Sequence, residues 1–202
     1  MSETPAIIIL SDHALDLAAR LQDMTGGSVD GLSGRVSGQT DSVFDDVKTA
    51  VQAAFTAKRP IIAVMASGAL IRLLAPVLND KRNEPPVICV AEDGSAVVPL
   101  LGGHHGANEL AKQIAAELGI AAAITTAGDL RFGVALDRPP AGYVLANPEH
   151  AKIFMADLLA GASVKIEGEA PWLADATLTQ ADDARHRMVV CDKINAGDAS
   201  TL

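Results

Sequence analysis

Two adjacent imidazoles, His104 and His105, sit in a run of glycines, Gly102-Gly103-His104-His105-Gly106. An imidazole titrates near neutral pH, so either ring can serve as a general acid or base, or hydrogen bond a ligand carboxylate. Neighbouring side chains on a turn diverge, so both rings need not face one site. One can instead cap loop carbonyls while the other is solvated, and the residues alone leave both readings open. Asn108 follows in the predicted first turn of a helix, where its carboxamide either caps the turn or points at a ligand. Two further turns, Ser11-Asp12 and Ser67-Gly68, put small residues where a predicted strand becomes a helix. Free N–H groups and the positive end of the helix dipole suit such turns to carboxylate or phosphate. They equally fit ordinary βα connections. Thr125, Thr126 and Asp129 form a polar cluster after the apolar run Ile120–Ile124. In open parallel sheets, ligands bind outside the carboxyl ends of the strands. Both the Gly/His loop and the Thr/Asp cluster are expected at such ends.

Other chemistries are poorly supported. His13, His150 and His186 are scattered, no helix offers a His-x3-His pair, and no metal ligands are assigned. Cys89 and Cys191 belong to no CxxC and suggest neither a disulfide framework nor a zinc site. The glycines of GGSVDGLSGRVSGQT lack the GxGxxG order, and neither a GxSxG elbow nor a P-loop occurs. Net charge is −9 with no basic block, which argues against nucleic acid. Aromatic residues are 3% of the chain, too few for a stacking platform. No apolar run approaches a transmembrane span, and MSETPAIIIL lacks the basic start of a signal peptide, so a cytoplasmic location is expected.

The elements that must position these residues follow from hydrophobic periodicity. Ala6–Leu10, Ile61–Ala66 and Val87–Ala91 read as buried parallel strands, with Val29–Leu32 a weaker one. Leu15, Ala18, Ala19 and Leu21 begin one helical face. Val43, Val47, Val51, Ala54 and Phe55 make a second, and Leu70, Leu73, Leu74, Val77 and Leu78 a third. Glu92-Asp93-Gly94 is a hairpin turn, so Ala96–Leu101 runs back antiparallel at the sheet edge. Ala107, Leu110, Ala111, Ile114, Ala115 and Leu118 form a fourth helical face that Gly119 ends. Ile120–Ile124 reads as another buried strand. After Asp129, LRFGVALDRPPAGYVL reads as a connector. A helix is expected from Asn147-Pro148, with strands at Val164–Ile166 and Met188–Cys191. The expected fold is α/β: a doubly wound, mostly parallel sheet with an antiparallel edge, plus a small second α/β unit. The domains are expected at 1–130 and 131–202. At 202 residues the chain is long enough for both.

Two stretches in this order resemble the cobalamin biosynthesis family CbiG, the cobalt-precorrin-5A hydrolases. One is Gly68-Ala-Leu-Ile-Arg-Leu-Leu-Ala-Pro-Val-Leu-Asn-Asp-Lys81. The other, PLLGGHHGANELAKQIAAELGIAAAITTAGD, is similar to that family's LLSGHxGGANxLA…ITTATD segment. The resemblance covers roughly residues 6–129, and more loosely 130–170. The loop is one residue shorter than the family pattern, and Gly128 replaces a threonine. No counterpart of the family's carboxyl-terminal module follows, so a fragment of a longer protein is expected. The shorter loop resembles versions fused to a precorrin-3B C17-methyltransferase. The resemblance implies hydrolytic opening of the ring A lactone of a cobalt corrinoid, with release of acetaldehyde. It implies no cofactor, since any cobalt belongs to the substrate. Catalysis is assigned to His104, with His105 as the alternative and Asn108 or the N–H groups of Gly103 and Gly106 steadying oxyanion charge. Substrate binding is assigned to Ser67, Gly68, Asp80, Lys81, Gly102, Gly103, Gly106, Thr125, Thr126 and Asp129. For the Asn79-Asp80-Lys81 cluster the residues alone favour a solvated surface. Expected partners are a tetrapyrrole or corrinoid intermediate and other corrin-pathway enzymes or a fused methyltransferase, with no nucleic acid and no membrane; a homodimer stays open. The alternative function is a corrinoid-binding accessory domain without catalysis.

Overall fold

The structure, a computed structural model, describes residues 4–140 and 142–191, with the side chains of Arg82 and His104 outside that description. The chain divides into two compact units between Ile124 and Thr125. The first holds a six-stranded sheet of β1 (Ala6–Ile9), β2 (Ser28–Leu32), β3 (Ser42–Phe44), β4 (Ile61–Val64), β5 (Val87–Val90) and β6 (Val97–Leu101), in the order β3-β2-β1-β4-β5-β6. Every pairing is parallel except β5 with β6, which is antiparallel. This is the doubly wound α/β sheet with an antiparallel edge that the hydrophobic runs predict.

Strand pleating explains the layers. Successive side chains point to opposite faces, so a strand covered on both sides reads as an unbroken apolar run. In β1, Ile7 and Ile9 join a core with α1 (Leu15–Thr25) and α4 (Ala107–Leu118). Ala6 and Ile8 join the opposite core with α2 (Val47–Thr56) and α3 (Ser67–Leu74). The same alternation holds along β4 and β5.

Three local expectations are corrected. Val43 is not on a helix face: it lies in β3 and is 65% exposed, because Asp46 caps α2 through the Thr49 N–H at 2.8 Å and so starts the helix at Val47. Ser11 and Asp12 do not cap α1. The Asp12 carboxylate instead accepts from the backbone N–H groups of Ser37 and Gly38, at 2.8 and 3.1 Å, and from the Ser37 hydroxyl. Ile120–Ile124 is not a buried strand. It makes one parallel bridge, Ala122 to Val97, with residues 120, 122 and 124 half-buried and 121 and 123 exposed.

The reversal at β6 decides the geography of this unit. Val87, at the start of β5, pairs with Leu101, at the end of β6. The Gly102–Gly106 loop therefore lies at the amino ends of the parallel strands, not at their carboxyl ends as the order of elements had suggested. Gly102 has φ +71°, and a Cβ there would stand 2.4 Å from the Pro85 carbonyl oxygen and 2.8 Å from Pro86 Cα. Only glycine fits both the left-handed backbone and that close approach.

The second unit contains α5 (Ala127–Phe132), α6 (Pro148–Leu159) and a parallel pair, β7 (Val164–Glu167) with β8 (His186–Val189). The predicted connector is thus helical at its start. Phe154 of α6 meets the ring of His186 edge-on at 5.5 Å, and His186 Nε2 lies 2.9 Å from the Asp157 carboxylate. Phe132, Leu136, Leu158, Val164 and Met188 complete that small core.

Three stability outcomes follow from these contacts. Ile88→Ala, at a fully buried central position, should cost about 2–5 kcal/mol in urea unfolding. Gly102→Ala should cost clearly more than Gly119→Ala. Both glycines have φ +71°, but nothing lies within 4 Å of a Cβ at Gly119. The Gly119 change then reads the left-handed penalty alone, about 1 kcal/mol, and the difference reads the approach to Pro85. Asp46→Ala should lower the melting temperature at pH 7. The Thr49 hydroxyl, then the Thr49 N–H, hold the Asp46 carboxyl below its ordinary value of 3.8. Its contribution is complete above the unfolded-state value and is lost as pH falls through the lower folded value. The gap between wild type and variant should therefore narrow on acidification below about pH 4, and thermal melts from pH 7 to 3 check it.

Candidate functional site

At the amino edge of the sheet, β6 ends in Leu101 and the chain turns through Gly102 into a single 3-10 turn, Gly103–His105. The Gly102 carbonyl accepts from His105 N at 2.8 Å and from Ala107 N at 3.1 Å, which clamps the loop onto the start of α4. Gly106, at φ +103°, occupies the N-cap position and leaves α4 without a side-chain cap. The positive end of a twelve-residue helix therefore follows directly on the Gly103–His105 turn. Asn108 is 6% exposed, and its carboxamide lies 3.8 Å from where a Cβ of Gly103 would stand. Its buried carboxamide is thus directed at the loop. The Gly106 N–H is directed to Gly103 O at 3.5 Å, so it is less available to an oxyanion than the sequence suggests. The ring of His105 is exposed, and the side chain of His104 lies outside the described residues.

The turn that carries Asn79, Asp80 and Lys81 reaches the same edge. α3 runs from the carboxyl end of β4 back to the amino end of β5, and a 3-10 turn over Lys81–Asn83 leads to Pro85-Pro86 beneath Gly102. Asn83 N donates to Asp80 O at 2.9 Å, and Asn83 Nδ2 reaches the Asp80 carboxylate at 3.2 Å. Asp80 and Lys81 are thus brought to the edge that holds the Gly/His loop. Ser67 and Gly68 are not. They start α3 at the opposite edge, separated by the length of the sheet, roughly 13 Å for a four-residue strand. Thr125, Thr126 and Asp129 fall in the second unit, with Thr126 at the N-cap position of α5 and Asp129 in its first turn.

The two edges differ in charge. An open cavity of about 270 Å³ at the carboxyl edge is lined by His13, Asp16, Arg20, Glu92 and Asp93. Ser11 donates to Glu92 there. The hydroxyl of Ser37 lowers the Asp12 pKa, and that of Ser95 lowers the Asp93 pKa, so both stay ionised. Arg20 is engaged by Glu117. Three lining carboxylates, Asp16, Glu92 and Asp93, face one histidine and one arginine, a surface that repels a polyanion. At the amino edge Lys58, Lys81 and the α4 N-terminus stand against Asp80, Glu84 and Glu109, the last in the first turn of α4 itself. Among the described residues no group of three or more His, Cys, Asp or Glu side chains is placed to hold a metal, and no helix is long and apolar enough to cross a membrane. Sequence reasoning missed Lys58. The available signal was the absence of any glycine between the end of α2 and Pro60, which forces an ordinary residue into the helix-ending conformation.

Comparison with known proteins places this edge in context. Residues 49–129 match the family described as cobalamin synthesis G N-terminal. The cobalt-precorrin-5A hydrolase of Priestia megaterium is 35% identical over 92 residues, 45% of this chain and 25% of that protein. That of Salmonella typhimurium strain LT2 is 44% identical over 85 residues, 42% of this chain and 24% of that protein. The match thus spans about a quarter of the length of these curated relatives. A crystal structure of a cobalamin biosynthesis protein G homolog from Sulfolobus solfataricus superposes with a TM-score of 0.48 at 20% identity, covering 94% of this chain and 56% of the other. α3, the Asn79–Asn83 turn, the Gly/His loop and α4 all lie inside the segment, residues 49–129, that is similar to the amino-terminal region of cobalamin synthesis G proteins.

Proposed function

We propose that the amino edge of the first unit binds a cobalt corrinoid and takes part in hydrolytic opening of its ring A lactone, with release of acetaldehyde. One observation carries the reading. The Asn79–Asn83 turn and the Gly102–Gly106 loop are well separated in sequence, yet Gly102 packs on Pro85-Pro86 and brings both to one edge inside the matched region. The relatives named cobalt-precorrin-5A hydrolase support the reaction.

The chemistry asks for a water made nucleophilic and a proton returned to the departing oxygen. Water oxygen adds to the lactone carbonyl, the acyl–oxygen bond breaks, and the departing alkoxide takes up a proton to become a hydroxyethyl group. Acetaldehyde then leaves as that hydroxyl loses its proton and the carbon–carbon bond to the macrocycle breaks. The electron pair stays on the macrocycle, which takes up a proton. His104, or His105 in its place, removes the water proton and returns it. The Asn108 carboxamide and the Gly103 N–H oppose the transient oxyanion. Lys81, with the uncapped start of α4, attracts the acetate and propionate groups of the macrocycle. The substrate-binding assignment of Thr125, Thr126 and Asp129 rests on the resemblance alone, and Ser67 and Gly68, at the opposite edge of the sheet, are not carried into this site. The same reading puts the protein in the cytoplasm among the other enzymes of corrin synthesis.

The test is calorimetric titration with cobalt-precorrin-5A, followed by an acetaldehyde-release assay. Saturable binding is expected. His104→Ala should lower turnover by about 10²–10⁴-fold, the usual worth of a positioned acid–base group, while binding changes only a few-fold. If the loss appears in His105→Ala instead, the role passes to that ring. Absence of saturable binding, or full turnover in both variants, would overturn the assignment. Binding without acetaldehyde release by wild type would leave a corrinoid-binding role without chemistry.

A further inference from the structure

Lys58 has φ +63° and is the only non-glycine residue with positive φ among the described residues. It sits directly after the α2 C-cap, Ala57. Arg59 N donates to Ala54 O at 3.0 Å and Lys58 N to Phe55 O at 3.1 Å. That pair of bonds is the helix stop in which glycine normally occupies the left-handed position, because a Cβ there is disfavoured. A lysine in that place weakens the fold locally relative to glycine. Its ammonium group donates to the Asn83 carbonyl, across to the turn that carries Asp80 and Lys81. Next to it, Arg59 donates to the Thr4 and Pro5 carbonyls and to the Ser28 hydroxyl, which fixes the same segment to the starts of β1 and β2. The chain after α2 is therefore anchored on one side by Arg59, and Lys58 extends that anchor to the Asn79–Asn83 turn.

We infer that Lys58 is a positioning residue: it holds the Asn79–Asn83 turn, and with it Asp80 and Lys81, in the arrangement that receives corrinoid carboxylates. The inference rests on the reading of the amino edge as the corrinoid site. It accounts for a lysine where the backbone prefers glycine, since glycine would relax the helix end but release the turn.

The experiment compares wild type, Lys58→Gly, Lys58→Arg and Lys81→Ala by thermal melting, by hydrogen exchange of the amides of residues 80–84, and by titration with cobyrinic acid, a cobalt corrin rich in carboxylates. Lys58→Gly should melt at the same or a higher temperature than wild type. Its exchange over 80–84 should quicken, and its affinity should fall by about fivefold, the worth of one hydrogen bond. Lys58→Arg should restore both. A residue with a merely structural role would lower melting temperature and affinity together, and that result overturns the inference. So does unchanged exchange over the turn in Lys58→Gly. If wild type binds and Lys81→Ala weakens binding while Lys58→Gly does not, the site reading stands and the role of Lys58 fails. If wild type does not bind cobyrinic acid at all, the site reading fails and the role of Lys58 falls with it.

Discussion

The close approach of Gly102 to the Pro85-Pro86 backbone is the constraint on which the site depends. A hairpin folds β6 back along β5, and the chain must then leave β6 directly over the segment that feeds β5. The separation admits no side chain, and the backbone there is left-handed. Everything after it inherits that position: the single 3-10 turn with the two histidines, the uncapped start of α4, and Asn108 against Gly103. Because Pro85 and Pro86 continue the Asn79–Asn83 turn, one backbone contact aligns two motifs that local sequence does not connect.

The sheet itself supplies rigidity. β1, β4 and β5 are buried on both faces, and helices cover both sides. Loops at the two edges are then free to differ in chemistry, as edges of doubly wound sheets do. In this protein the carboxyl edge is occupied by its own carboxylates. Asp12 is spent on closing the 33–38 loop, and Glu92 on Ser11. The amino edge carries the helix N-terminus and lysines. The usual expectation that ligands meet the carboxyl ends of strands holds for parallel connections. Here the reversal at β6 sends the Gly/His loop to the other end.

Much of the fold was legible because it rests on local periodicity. The buried runs at 6–10, 61–66 and 87–91 can only be strands covered on both faces, and α4 shows its buried stripe from Ala107 to Leu118 without ambiguity. The errors came where local pattern and packing disagree. Val43 fits the helical spacing of Val47 and Val51, but the Asp46 cap sets the helix start. Ile120–Ile124 has the composition of a strand, yet it lies outside β6 with one bridge and alternating exposure, since no further strand covers it.

By itself the sequence determined the buried strands β1, β4 and β5, the antiparallel edge, the buried face of α4 and the identity of the residues able to do chemistry, because each depends on side-chain period, glycine placement or residue type. Tertiary structure alone decided which of those residues share an edge. It joined Asp80 and Lys81 with Gly102–Gly106 and Asn108, and it moved Ser67 and Gly68 to the far end of the sheet. It also revealed the reach of Lys58 to Asn83, which has no signature in composition or spacing. The physical reason is the same in each case. Strand direction and a backbone approach too close to admit a side chain are relations between separate segments, and they exist only once the hairpin has closed.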